Sequence, residues 1–183
     1  MAAALREWRD DPLHWYVPHE RQREFHNAGL HASERLFLAG NRVGKTLAGA
    51  CEVGFHLTGR YPAWWQGVRF EQPVQAWAAS VTREATRDIL QAVYLGAAGR
   101  VGVIPARLIV GVVHKPGLAG AVDVVKVRHR RGVSTLGFRS YDQGRATFQG
   151  TAREVIHLDE EPEIGVYEEC LLRTLTVKGH ATD

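Results

Sequence analysis

A chain of 183 residues, 45% hydrophobic and 23% charged, has the length and composition of one folded domain with room for a core. Its net charge of +3 and pI near 9.1 permit contact with a polyanion without demanding it. Cys51 and Cys170 are far apart and fit no C-x-x-C pattern, so a reduced setting is the default. No apolar run reaches the roughly 18 residues of a membrane span, and the opening MAAALREWRDD carries acids too early for a secretory signal.

Residues 1–31 are polar, aromatic and dotted with histidines, and a helix is expected over 19–28, ending near Gly29. His14, His19, His26 and His31 lack the spacing or cysteine neighbours of a metal site, so solvent-facing histidines are the plain reading. Residues 36–39 read as a short buried strand, and 45–57 as a helix stopped by Gly59 and Pro62. The stretch YPAWWQGVRFEQP reads as a loop with aromatic anchors. Residues 74–79 form a second buried strand, and Thr82 caps a helix to about Leu95. The Gly-rich stretch 96–120 has no clear assignment. Residues 122–129 and 133–138 flank Arg130-Arg131-Gly132 as a β-hairpin. A further buried strand covers 155–158, followed by a helix over 164–173. Buried strands alternating with helices predict an α/β domain with a mainly parallel sheet flanked by helices and a β-hairpin insertion.

The most informative stretch is LFLAGNRVGKTLAGA, residues 36–50. An apolar run enters a Gly-containing turn, then Gly44-Lys45-Thr46, then a helix-forming run. That order builds a phosphate cradle, in which backbone N–H groups of the turn and of the helix start point at the anion. Gly40, Asn41, Arg42, Val43, Gly44, Lys45 and Thr46 are the candidate phosphate-binding residues. Lys45 reaches the β and γ oxygens and the Thr46 hydroxyl ligates Mg²⁺. The strict pattern G-x-x-x-x-G-K-[ST] has Ala39 in its first place, with Gly40 one later, so this is a variant.

VIHLDEE, residues 155–161, is an apolar run ending in acids. A carboxylate at a strand tip lies where open α/β sheets bind ligands, so Asp159 is a Mg²⁺-holding candidate. Glu160 is placed to orient and deprotonate a water aimed at the γ-phosphate. Arg42, inside the turn, can add positive charge where the transition state gains negative charge. Arg139, Arg145 and Arg153 are weaker candidates for that job. Trp64-Trp65 could stack on bases, though a packed loop is the larger expectation. Lys126, Arg128, Arg130 and Arg131 form the best basic cluster, read either as a phosphate contact or as a solvated hairpin tip.

With both motifs in place, the chain resembles the ATPase domain of the large terminase subunit of tailed bacteriophages. PHERQREFH resembles the family's adenine-side segment, with Gln22 in the place of a base-reading glutamine. LFLAGNRVGKT matches its variant phosphate loop, HLTGRYPAWW follows as in relatives, and FRSYDQGRATFQGTAREVIHLDEEP matches the run into the acidic pair. The resemblance covers nearly the whole chain. It implies a P-loop NTPase fold of the RecA/helicase-like ASCE type, with an N-terminal segment (1–31) and an ATPase domain (32–183). It further implies ATP and Mg²⁺ as cofactors, Glu160 as catalytic carboxylate, Lys45 and Thr46 on phosphate and Mg²⁺, and Arg42 as a cis arginine finger. Double-stranded DNA, a small terminase subunit, a portal protein and a homo-oligomeric ring are the implied partners, with the bacterial host cytoplasm as the location. The sequence closes before the coupling segment and nuclease domain that family members carry, so no nuclease activity is expected. Two alternatives stay open: a helicase-like nucleic-acid translocase, and a truncated, idle nucleotide-binding module. A small-molecule kinase is more distant, because the Asp159-Glu160 pair and the lack of an Arg-rich lid count against it.

Overall fold

A computed structural model of the chain describes residues 11–40 and 42–175. Asn41 of the expected phosphate loop lies outside the described residues, as do the first ten residues of the N-terminal segment. Helix α1 covers Pro12–Trp15, α2 Glu20–Ala28 and α3 Lys45–Thr58. Strand β1 (Gln75–Ser80) leads into a helical stretch of three pieces: α4 (Arg83–Ala85), a π-helical segment (Thr86–Gln91) and α5 (Ala92–Leu95). Strands β2 (Gly96–Ala97) and β3 (Arg100–Val101) form a small antiparallel pair. Strands β4 (Ile109–His114), β5 (Val122–His129), β6 (Gly132–Ser140) and β7 (Val155–Leu158) complete the main sheet, and α6 covers Ile164–Leu175.

The main sheet has the order β4-β5-β6-β1-β7. Strand β1 is central and pairs in parallel with both β6 and β7, while β5 pairs antiparallel with β6 and with β4. The α/β architecture thus matches the expectation, and its parallel part is β6-β1-β7. The hairpin of β5 and β6 is part of this sheet rather than an appendage, because β6 is the parallel neighbour of β1. Strand β4 lies within the Gly-rich stretch 96–120, whose composition masks its strand character.

Successive residues of β1 feed two cores. Ala76 and Ala78 pack with Phe55, Leu57, Leu90, Tyr94 and Phe138 on the α3 side, whereas Trp77 and Ala79 pack with Phe148, Val166 and Cys170 on the α6 side. A strand covered on both faces reads as a continuous apolar run rather than an alternating one, which is why β1 was visible in the sequence. Helix α3 ends at Gly59, whose φ of +65° is left-handed, a geometry suited to glycine. The loop after it is anchored as expected. Trp65 is buried, its indole N–H donates to the Val68 carbonyl at 3.0 Å, and Trp64 and Trp65 pack on Phe55.

Two expectations need correction. Residues 36–39 form no strand, and Leu36 and Leu38 are 80% and 81% exposed. The segment is tethered instead through Phe37, stacked on Phe25 at 5.0 Å, and through Arg35, which donates to the Phe25 carbonyl at 2.8 Å. A four-residue run needs a ladder partner to hold it, and among the described residues β7 pairs only with β1. The second correction concerns His26, which is fully buried rather than solvent-facing.

His26 belongs to a polar network beneath α3. Its Nδ1 meets a Glu52 carboxylate oxygen at 2.7 Å and its Nε2 meets the Tyr16 hydroxyl at 3.1 Å. Arg35 pairs with both oxygens of the same carboxylate, one at 3.2 Å. His56 lies 3.7 Å from Glu52 and hydrogen-bonds the Tyr61 hydroxyl at 3.0 Å. A buried carboxylate persists only when paired in this way. The network ties α2, the segment before the phosphate loop and the aromatic loop to one face of α3.

Candidate active site

The parallel strands set the site at their C-terminal ends. Strand β7 ends at Leu158, so Asp159 and Glu160 emerge beside the end of β1, and the Asp159 N–H donates to the Ala79 carbonyl at 2.8 Å. Helix α3 begins at the same end. There the Thr46 hydroxyl donates to Asp159 Oδ1 at 2.8 Å. The two motifs, far apart in sequence, therefore meet through one short hydrogen bond. A hydroxyl and a carboxylate make the hard-oxygen donor pair that Mg²⁺ takes in phosphate-binding sites.

The turn preceding α3 has the backbone of an anion cradle. Arg42 (φ +62°) and Gly44 (φ +79°) are both left-handed, and turns through such conformations converge N–H groups on one point. The Lys45 ammonium donates to the carbonyls of Ala39 and Gly40 at 2.6 and 2.9 Å, so it lies across the mouth of the turn. A Cβ at Gly40 would meet nothing within 4 Å, so that glycine is not sterically required. Val43 and Arg42 are exposed, and Arg42 makes no hydrogen bond or ion pair with another described residue.

Gln22 is buried against this turn. Its Nε2 lies 3.4 Å from the Val43 carbonyl and 3.3 Å from the Gly44 carbonyl, while its Oε1 accepts from the His19 N–H at 3.1 Å. Both ends of the amide are thus engaged within the chain, and the capping box at the start of α2 aims it there. Of the alternative arginines, Arg139 pairs with Asp123 at 2.8 Å, Arg145 with buried Glu169 at 2.9 Å, and Arg153 lies over the Trp77 ring at 4.3 Å. All three are engaged in contacts of their own.

Sequence reasoning missed Tyr141. Its hydroxyl hydrogen is shared among the carbonyls of Asp159 (3.0 Å), Glu160 (3.1 Å) and Ala79 (3.3 Å). Burial, with the Asp159 and Glu160 charges adding, pushes this phenol far above its ordinary value, so it stays a donor. Glu160 is exposed with a φ of +67°, left-handed for a non-glycine residue, which costs about 1–2 kcal/mol. Tyr141 braces that strained peptide. It follows β6 directly, and the end of a strand neighbouring β1 is where such a residue could have been sought.

His157 on β7 is a second unforeseen participant. Its Nδ1 hydrogen-bonds the Tyr94 hydroxyl at 2.9 Å, and burial lowers its pKa against the opposing pull of Asp159 and Glu52. The ring lies against α3 so closely that a Cβ at Gly49 would come within 2.5 Å of Nε2. Gly49 thereby lets the helix that starts at Lys45 approach the strand that leads into Asp159.

Among the described residues no cluster of three His, Cys, Asp or Glu side chains is placed to hold a metal ion. No described helix is long and apolar enough to cross a membrane.

Residues 36–183 match the family described as terminase large subunit, T4likevirus-type, N-terminal. A terminase large subunit of Salmonella phage P22 is 36% identical over 185 aligned positions, which cover 88% of this chain and 37% of that protein. The chain thus spans well under half the length of that relative. No solved structure matches the chain. With the family matched over most of its length and a relative of this identity, the chain belongs to the terminase large subunit family.

Proposed function

We propose that this chain is a P-loop ATPase domain of the RecA/helicase-like type whose ATP hydrolysis drives DNA translocation in phage genome packaging. The observation that carries the reading is the 2.8 Å bond from Thr46 to Asp159, which joins the phosphate turn to the acidic pair. Family membership supports the packaging role. A small terminase subunit, a portal protein and further copies of the chain in a ring are the partners this reading takes, in the cytoplasm of the bacterial host.

In this reading the turn from Gly40 to Gly44 and the start of α3 bind the phosphates through backbone N–H groups, with Lys45 adding a point charge. Thr46 and Asp159 would hold Mg²⁺, which neutralises phosphate charge. Glu160 orients the attacking water and accepts its proton. Arg42, at the exposed crest of the turn, offsets negative charge that grows on the phosphoryl oxygens. Gln22 braces the turn, and reading adenine would require its amide to release the Val43 and Gly44 carbonyls. No nuclease chemistry is assigned to these residues.

The test is Mg²⁺-dependent ATP hydrolysis by the purified chain beside Lys45→Ala and Glu160→Gln. The reading expects turnover lost in both, with nucleotide still bound by Glu160→Gln. A parent chain that binds ATP without turning it over would instead favour an idle nucleotide-binding module.

A further inference from the structure

We propose that the outer face of the β5–β6 hairpin tip is a contact surface for the phosphate backbone of duplex DNA, formed by Lys126, Arg128 and Arg130 with Arg131 beside them. The proposal rests on the reading above for the identity of the polyanion, and on the hairpin itself for its place.

Along β5, Val125, Val127 and His129 are buried while Lys126 and Arg128 are exposed, and Arg130, in the turn that follows, is exposed too. The cations therefore occupy every second position, on the solvent face, about 6.8 Å apart for an antiparallel strand. Their ladder neighbours carry no charge. Lys126 is paired with Thr135 on one side and Gly111 on the other, and Arg128 with Val133. The positive charge is thus left unneutralised by the sheet. Glu71 meets Arg131 at 3.1 Å, but both are more than half exposed, so water and salt screen that pair. Behind the tip, Arg69, Arg130 and Arg131 line a recess of about 60 Å³ together with Tyr61, Phe70 and Glu71, which adds Arg69 to the same pole.

The tip is held firmly. His129 turns inward, its Nδ1 accepts the Arg131 N–H at 3.1 Å, and its ring fills the space that a side chain at Gly59 would need. The Arg130 N–H donates to the Thr58 carbonyl at 3.2 Å, which fastens the tip to the end of α3. Cations on a fixed frame lose less entropy on binding than cations on a mobile loop.

The location suits a motor. Helix α3 runs from Lys45 to Thr58, about 21 Å at 1.5 Å per residue. DNA at its C-terminal end leaves the phosphate turn at its N-terminal end open. Arginine and lysine on phosphate oxygens also read no sequence, as translocation along an arbitrary genome requires.

Duplex DNA binding by the whole chain, followed by fluorescence anisotropy over a range of salt, tests this. In a variant carrying Lys126→Gln, Arg128→Gln, Arg130→Gln and Arg131→Gln, affinity at low salt should fall by tenfold or more. The slope of log K against log salt should become shallower by about 3–4, roughly 0.9 per lost phosphate contact. The single variant Arg128→Gln, a solvent-facing change that leaves the fold intact, should reduce that slope by about 1. Unchanged affinity and slope in both variants would overturn the proposal. Binding of polyglutamate in place of DNA would overturn it too, pointing to an acidic protein partner. Basal ATP turnover of the same samples should equal the parent's. Its absence in the parent would count against the ATPase reading, whereas the salt slopes judge the hairpin independently.

Discussion

Tyr141 and Glu160 show how a single residue's backbone state bears on chemistry. A left-handed glutamate stores strain that its surroundings must hold, and the Tyr141 hydroxyl reaches the carbonyls on both sides of that peptide. Tyr141→Phe should therefore lower ATP turnover while leaving nucleotide affinity near the parent value, with about 1 kcal/mol of stability lost. Equal losses in turnover and affinity would reduce the residue to packing. Glu160→Gly should abolish turnover yet raise the denaturation midpoint, because glycine accepts that φ freely. Arg42→Ala should cut turnover by about 10³ or more if Arg42 serves as the arginine finger, and a loss below tenfold would remove it from that role. The thiols are plainer. Burial pushes Cys51 and Cys170 up to about 12, so neither should react with a disulfide reagent near neutral pH until the chain unfolds.

At the scale of elements, α3 is the member on which the others depend. It carries the Gly44-Lys45-Thr46 turn at one end, the hairpin tip at the other, and the Glu52 network along its side. Burial alone would raise the Glu52 carboxyl, but hydrogen bonds from His26, His56 and Arg35, with the Arg35 charge, hold it well below its ordinary 4.5. A depressed carboxylate contributes stability in full above its unfolded value, and that contribution fades as pH falls below 4.5 toward the folded value. Denaturant midpoints measured from about pH 6 to about pH 3 should thus drop, and Glu52→Gln should flatten that part of the profile. At neutral pH, Glu52→Ala should cost about 3–5 kcal/mol by leaving His26 and Arg35 without their partner. Gly59→Ala combines a left-handed φ with a Cβ 2.3 Å from His129 Nε2 and should lower stability by about 1–3 kcal/mol.

For the whole molecule, the sheet places the two candidate sites at opposite ends, with Asp159 and Glu160 at the C-terminal ends of β6-β1-β7 and the basic residues at the hairpin. Strand β4 exposes Val110, Val112 and Val113 along an edge that, among the described residues, pairs with β5 alone, and such edges invite pairing between chains. Val112→Lys should reduce concentration-dependent aggregation, read by light scattering, with little shift in Tm. Unchanged scattering would place the association elsewhere.

The sequence by itself determined the elements whose signals are local. Thr82 caps its helix, Gly59 ends α3, Arg130-Arg131 turns the hairpin, and the GKT and DEE stretches marked themselves as site candidates through residue type and spacing. Only the tertiary structure decided what depends on partners distant in sequence. Apolar residues 36–39 lacked a ladder and stayed out of the sheet. His26 became a core residue because Glu52, on the next helix in chain order, supplied a carboxylate for it. Gln22 turned to the phosphate turn because the capping box of α2 fixed its direction. Tyr141 reached the Asp159 and Glu160 carbonyls only once β6 was laid beside β1, and α3 comes close to β7 where Gly49 leaves room for His157. Local propensity acts within a few residues, whereas burial, pairing and strain are settled by whatever the folded chain brings alongside.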